Sequence, residues 1–111
     1  MEATIGRIVH YTLSAYDAEQ VNRRREDFAA FNRANRDIAS EAGSFPGRSG
    51  HVGHFGNPAS EGDVYPAMVV RTSGSNAAVN LQVHLDGNDT YWATSRGEGA
   101  DAGQWRWPER A

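Results

Sequence analysis

Residues 79–85 read Val79-Asn80-Leu81-Gln82-Val83-His84-Leu85, with apolar and polar side chains alternating without a break. A period of two is the pattern of a strand with one face in a core and the other outside it. Val79, Leu81, Val83 and Leu85 go to the core side, and Asn80, Gln82 and His84 to the other. Downstream, Asp86, Gly87, Asn88 and Asp89 supply a tight turn, and residues 90–95 (TYWATS) return as a partner strand. A glycine-rich stretch at 97–103 leads to a short last strand at 104–107, ended by Pro108. Upstream, residues 64–72 (VYPAMVVRT) form another strand, with Pro66 near its start, where a missing amide costs least.

The first strand is expected at 6–13, where Ile8, Val9, Tyr11, Thr12 and Leu13 are good β-formers. Ser14 then opens a helix. Its hydroxyl can accept from the backbone at Asp17, and Asp17 and Glu19 place negative charge in the first turn, where the helix dipole favours it. Neither proline nor glycine interrupts residues 15–42, which predicts a helix of about 42 Å. Val21, Phe28, Phe31 and Ile38, with Asn35 in the same seam, form a narrow stripe on it. That stripe either packs on the chain's own sheet or pairs with another subunit as an oligomer interface. Residues 43–62 read as one flexible Gly-rich loop, a lid or a plain insertion.

These elements predict a single α+β domain over residues 1–111. It would be a small antiparallel sheet or half-open barrel of about five strands, with one long helix inserted after the first and the antiparallel β unit at 63–109. A chain of 111 residues supports one core. It contains no cysteine, which removes disulfides and thiol chemistry and fits a reducing compartment. The N-terminal residues lack the basic and apolar blocks of a leader, so a cytoplasmic location, with no membrane partner, is expected.

All 11 basic residues are arginine. With a formal net charge of -3 and no basic block beyond Arg23, Arg24 and Arg25, broad nucleic-acid affinity is disfavoured. Those three arginines and the tryptophans carry the nucleic-acid alternative. Several chemistries find no support. There is no Gly-x-Ser-x-Gly elbow, Walker motif or dinucleotide glycine motif, so no catalytic residues and no cofactor are expected. His51 and His54 form a His-x-x-His pair without the further ligands that zinc wants, and no metal site is expected. Asp86 and Asp89 are explained by their turn.

The stronger constellation joins the outward amides and imidazole of Asn80, Gln82 and His84 to Trp92, Trp105 and Trp107, with Arg71, Arg96 and Arg106 at strand ends. Indoles offer a flat face to a base and guanidiniums grip phosphate, so the set suits a nucleotide. At least one tryptophan is also expected to fill the core. Trp105 and Trp107 share a face if their strand is regular.

The segments GRIVHYTL (6–13), VYPAMVVR (64–71), VNLQVHLDGND (79–89), YWATS (91–95) and GQWRWPE (103–109) resemble a family of small phage and prophage proteins with a closing Gly-x-Trp-x-Trp-Pro-Glu motif. The resemblance extends to signal sponges of the Thoeris anti-defence type. It implies a non-catalytic homo-oligomer in an infected host that sequesters a cyclic nucleotide or cyclic ADP-ribose signal and so blocks anti-phage defence. Arg71 and Arg106 would be the phosphate partners, Trp92 or Trp105 the stacking surface, and Asn80, Gln82 and Asn88 the edge readers. The alternative is a structural or protein-interaction module of a phage or prophage.

Overall fold

The computed structural model describes residues 2–42, 56–72 and 78–109, with helix side chains described as far as Ala30. Strand β1 spans Ile8–Thr12, helix α1 Ala15–Ala42, β2 Val64–Thr72, β3 Val79–His84, β4 Thr90–Arg96 and β5 Trp105–Arg106. The five strands form one sheet in the order β4-β3-β2-β1-β5, and every neighbouring pair is antiparallel. The fold is therefore α+β with a long helix after the first strand. Of the 43–62 loop, residues 43–55 lie outside the described residues, and with them His51 and His54.

The sheet is not a closed barrel. It curls at one end, however, because the chain leaving β4 crosses to β5. The Trp105 N–H donates to the Gly97 carbonyl at 3.0 Å, and its carbonyl accepts from Gly99 at 2.8 Å. The Trp105 indole N–H also donates to the Arg96 carbonyl at 3.1 Å. The β5 edge is thereby covered by the chain itself, while β4 remains an edge.

Pro66 sits inside β2, between two neighbours, and the hydrogen-bond register explains how it is tolerated. Leu13 donates to Asp63 at 2.8 Å and Val69 to Arg7 at 2.9 Å, so the odd-numbered residues of this strand bond β1. Pro66 faces β3 instead. The ladder to β3 begins at Ala67, so the missing amide falls at the margin of that ladder and not within it.

α1 starts with a reciprocal cap. The Asp17 N–H donates to the Ser14 hydroxyl at 3.1 Å, and the Ser14 N–H donates to the Asp17 carboxylate at 3.0 Å. This fixes the helix entry, so that Ala18 and Val21 meet Val9, Tyr11, Leu13, Ala67, Val69, Leu81, Val83, Ala93 and Trp105 in one buried cluster. Each large apolar side chain in that cluster contributes about 1.5–3 kcal/mol by leaving water. The helix covers one face of the sheet. Among the described residues, no helix is long and apolar enough to cross a membrane.

Candidate ligand-binding face

The uncovered face of the sheet follows from the register. Gln82 pairs with Trp92 on β4 and with Met68 on β2, and Met68 pairs with Ile8 on β1. Trp92, Gln82, Met68 and Ile8 therefore form a row across four strands. Thr90 and His84 form the adjoining row, and His10 pairs with Arg106 on β5. The row is unusually apolar for an uncovered face: Trp92 is 61% exposed, and Ile8, Met68 and Val70 also lie open.

At one end of this face both flanking ladders are irregular. The β2–β3 register shifts between Val69 and Arg71, and the β3–β4 register shifts between Val79 and Leu81. The extra residue on β4 is accommodated by Ser95, which takes a left-handed conformation (φ 54°). Asn80 holds it there, its side-chain carbonyl accepting from the Ser95 N–H at 2.8 Å. Between the displaced strands opens a cleft of about 300 Å³ lined by Arg71, Thr72, Ala78, Val79, Asn80 and Ser95. Among the described residues its polar lining supplies a guanidinium, two hydroxyls and an amide, with no carboxylate. Asn80 is two residues from Gln82 on one strand, which sets the cleft about 7 Å from the Trp92 row.

Asn80, Gln82, His84, Trp92, Arg71 and Arg106 thus share one side of the sheet. Three other residues read as ligand contacts do not join them. Trp105 is 2% exposed and belongs to the core, where Trp107 packs edge-on against it with centroids 5.5 Å apart. Its strand partner is the buried Tyr11, which puts its ring on the helix side. Asn88 lies in the β3–β4 turn, outside the strands that form the face. Arg96 turns inward and donates to the Asp17 carboxylate at 3.0 Å.

Asp17 is the centre of a buried polar network that sequence reading credited only with a role in the helix cap. It is fully buried and accepts from the Tyr11 hydroxyl, from the Tyr91 hydroxyl at 2.9 Å, from Arg96 and from the Ser14 backbone. Burial alone would raise its pKa, but the hydrogen bonds from Tyr11, Ser14 and Tyr91 and the Arg96 charge outweigh it, holding the carboxyl below the usual range. Burial and the same carboxylate push the Tyr91 hydroxyl up to about 12, and Tyr11 higher still. With every oxygen engaged and no access from solvent, this carboxylate ties α1, β1 and β4 together and is not placed to meet a substrate. A signal for it existed: if Trp92 points outward, alternation turns Tyr91 inward.

A second anchor lies further along the helix. Arg25 donates to Asp89 at 2.9 Å and to the Asn57 carbonyl, while Arg24 donates to Asp89 at 3.3 Å and to the Thr90 carbonyl at 3.0 Å. Asn22 brackets Ala59 with a pair of bonds at 2.8 and 2.9 Å. Gly56 passes so close that a Cβ would collide with the Asp86 carbonyl and the Arg25 guanidinium. Two of the three consecutive arginines are therefore committed to holding the helix on the sheet, and Arg23 pairs with Glu19 on the helix surface. Val21 and Phe28 of the helix stripe are buried within this chain and are not open to another subunit. The side chains of Phe31, Asn35 and Ile38 lie outside the described residues.

No family model, no curated protein and no solved structure matches this chain, so the resemblance to the phage proteins rests on the quoted segments alone.

Proposed function

We propose that the protein is a non-catalytic binder of a phosphorylated, base-bearing small molecule, held on the open face of the sheet. The observation that carries the reading is a donor-lined cleft, with no carboxylate among its described residues, beside a tryptophan that is 61% exposed. Arg71, with the Thr72 and Ser95 hydroxyls, grips a phosphate, and Trp92 stacks the base while Gln82 meets its edge. A nucleotide spans such a separation from base to phosphate. Sequestration of a cyclic nucleotide or cyclic ADP-ribose immune signal, as the phage resemblance implies, is the specific form of this reading.

Calorimetry and thermal shift with cyclic dinucleotides and cyclic ADP-ribose isomers test it. Binding at micromolar concentration or tighter is expected, weakened at least tenfold by Arg71→Ala and by Trp92→Ala. Absence of binding to every one of these ligands overturns it. The exposed apolar side chains Ile8, Met68, Val70 and Trp92 favour a second reading, a protein-interaction module of a phage or prophage. A stoichiometric protein partner lost on Met68→Glu, together with no nucleotide binding, would select that reading.

A further inference from the structure

The two edges of the sheet differ. β5 is bonded on its outer side by Gly97 and Gly99, whereas among the described residues nothing pairs with the outer side of β4 between Tyr91 and Ser95. The direction of the free groups follows from the turn. Leu85 donates to the Asp89 carbonyl at 3.4 Å, which places Val83 and Tyr91, two residues on along each strand, in a doubly bonded pair. Tyr91 and Ala93 then spend their amides on β3. Trp92, between them, aims its N–H and C=O out of the sheet, as does Thr90, whose carbonyl is taken by Arg24.

An open edge is a template for another strand, and proteins usually blunt one with charge, proline or a covering segment. β4 has none of these between Thr90 and Ser95, whose side chains are uncharged and rich in β-formers. We propose that two copies of this chain pair antiparallel through β4 about a two-fold axis at Trp92, joining their sheets edge to edge. Each Trp92 exchanges both backbone bonds with its counterpart, and the two exposed indoles meet across the axis as a cross-strand aromatic pair. Thr90 of one copy then lies opposite Thr94 of the other. The exposed edge of β4 is complementary to itself. A chain with a net charge of -3 would ordinarily repel itself, but the segment Thr90–Ser95 that meets itself here carries no charge. The contact is isologous, so it closes at two copies and leaves no further β4 edge to propagate.

Light scattering and sedimentation across a concentration series test the dimer, and charge variants test its register. Thr90→Lys/Thr94→Lys and Thr90→Glu/Thr94→Glu change exposed positions that make no core contact. Each double variant should be monomeric with an unchanged circular dichroism spectrum, because like charges face each other twice across the axis. An equimolar mixture should restore the dimer. A wild-type chain that stays monomeric at high micromolar concentration overturns the proposal, as does a dimer that survives both double variants or a mixture that fails to associate. Both variants retain Arg71 and Trp92, so ligand binding by the monomeric variants is read separately from pairing.

Discussion

The two faces of the sheet use the same residue types to opposite ends. On the helix side, Arg96, Tyr11, Tyr91 and Trp105 are committed to Asp17 or to packing. On the other side, Arg71, Trp92 and His84 are exposed and Gln82 half-buried, and among the described residues no helix lies over them. The comparison teaches that an arginine or a tryptophan says little about binding until the register says which way it points. It predicts that equivalent substitutions on the two faces will separate stability from ligand affinity.

The largest effect is expected from Asp17→Ala, which leaves a guanidinium, two tyrosine hydroxyls and a backbone amide without their acceptor. Breaking a buried charged network costs about 3–5 kcal/mol against a total stability of about 5–15. Urea denaturation should show the midpoint collapse, and an unchanged midpoint would break the account of the inner face. Trp105→Ala should cost about 3–5 kcal/mol by cavity formation, while Trp92→Ala should change the stability of the fold by no more than about 0.5 kcal/mol and lower ligand affinity. If the two tryptophans prove equally costly to stability, the comparison fails.

The arginines offer a smaller version of the same test. Arg96→Ala removes a charge-assisted bond to a buried carboxylate and should cost about 2 kcal/mol. Arg71→Ala should change the unfolding midpoint little and weaken the binding of phosphorylated ligands, as read by calorimetry.

The smallest effect is in the pH dependence of stability. The folded-state pKa of Asp17 is depressed, so its contribution is complete above about pH 4 and is lost as pH falls further, through the folded value. The tyrosines act in the opposite sense, because their folded pKa values are raised. Their contribution is complete below about pH 10 and is lost as pH rises through about 12 for Tyr91. Urea midpoints measured from pH 3 to 11 should therefore form a plateau that falls at both ends, and Tyr91→Phe should soften the alkaline fall.

Much of the architecture was legible because it depends on neighbours in sequence. The alternation over 79–85 fixed which side chains of β3 are core, and all four that it assigned inward are buried. The absence of proline and glycine set the reach of α1, and Ser14 and Asp17 marked its start. The candidate face was half legible: Asn80, Gln82 and His84 come from one alternating strand, and Trp92 is brought beside them by the turn that follows. Met68 and Ile8 could not be added from sequence, because their place in the row depends on how β2 and β1 pair across a long gap.

The sequence by itself determined the strand and helix periods, the helix cap and the polar stripe on β3, because these follow from contacts between residues a few positions apart. Only the tertiary structure decided that Arg96 and Trp105 belong to the inside and Arg71 and Trp92 to the outside. It alone brought Asp17 to Tyr91 and Arg96, which lie 74 and 79 residues away in the chain. The physical reason is that a one-residue change of register reverses the direction of every side chain on a strand. That register is set by distant partners and by the bulge at Ser95, which no local pattern encodes.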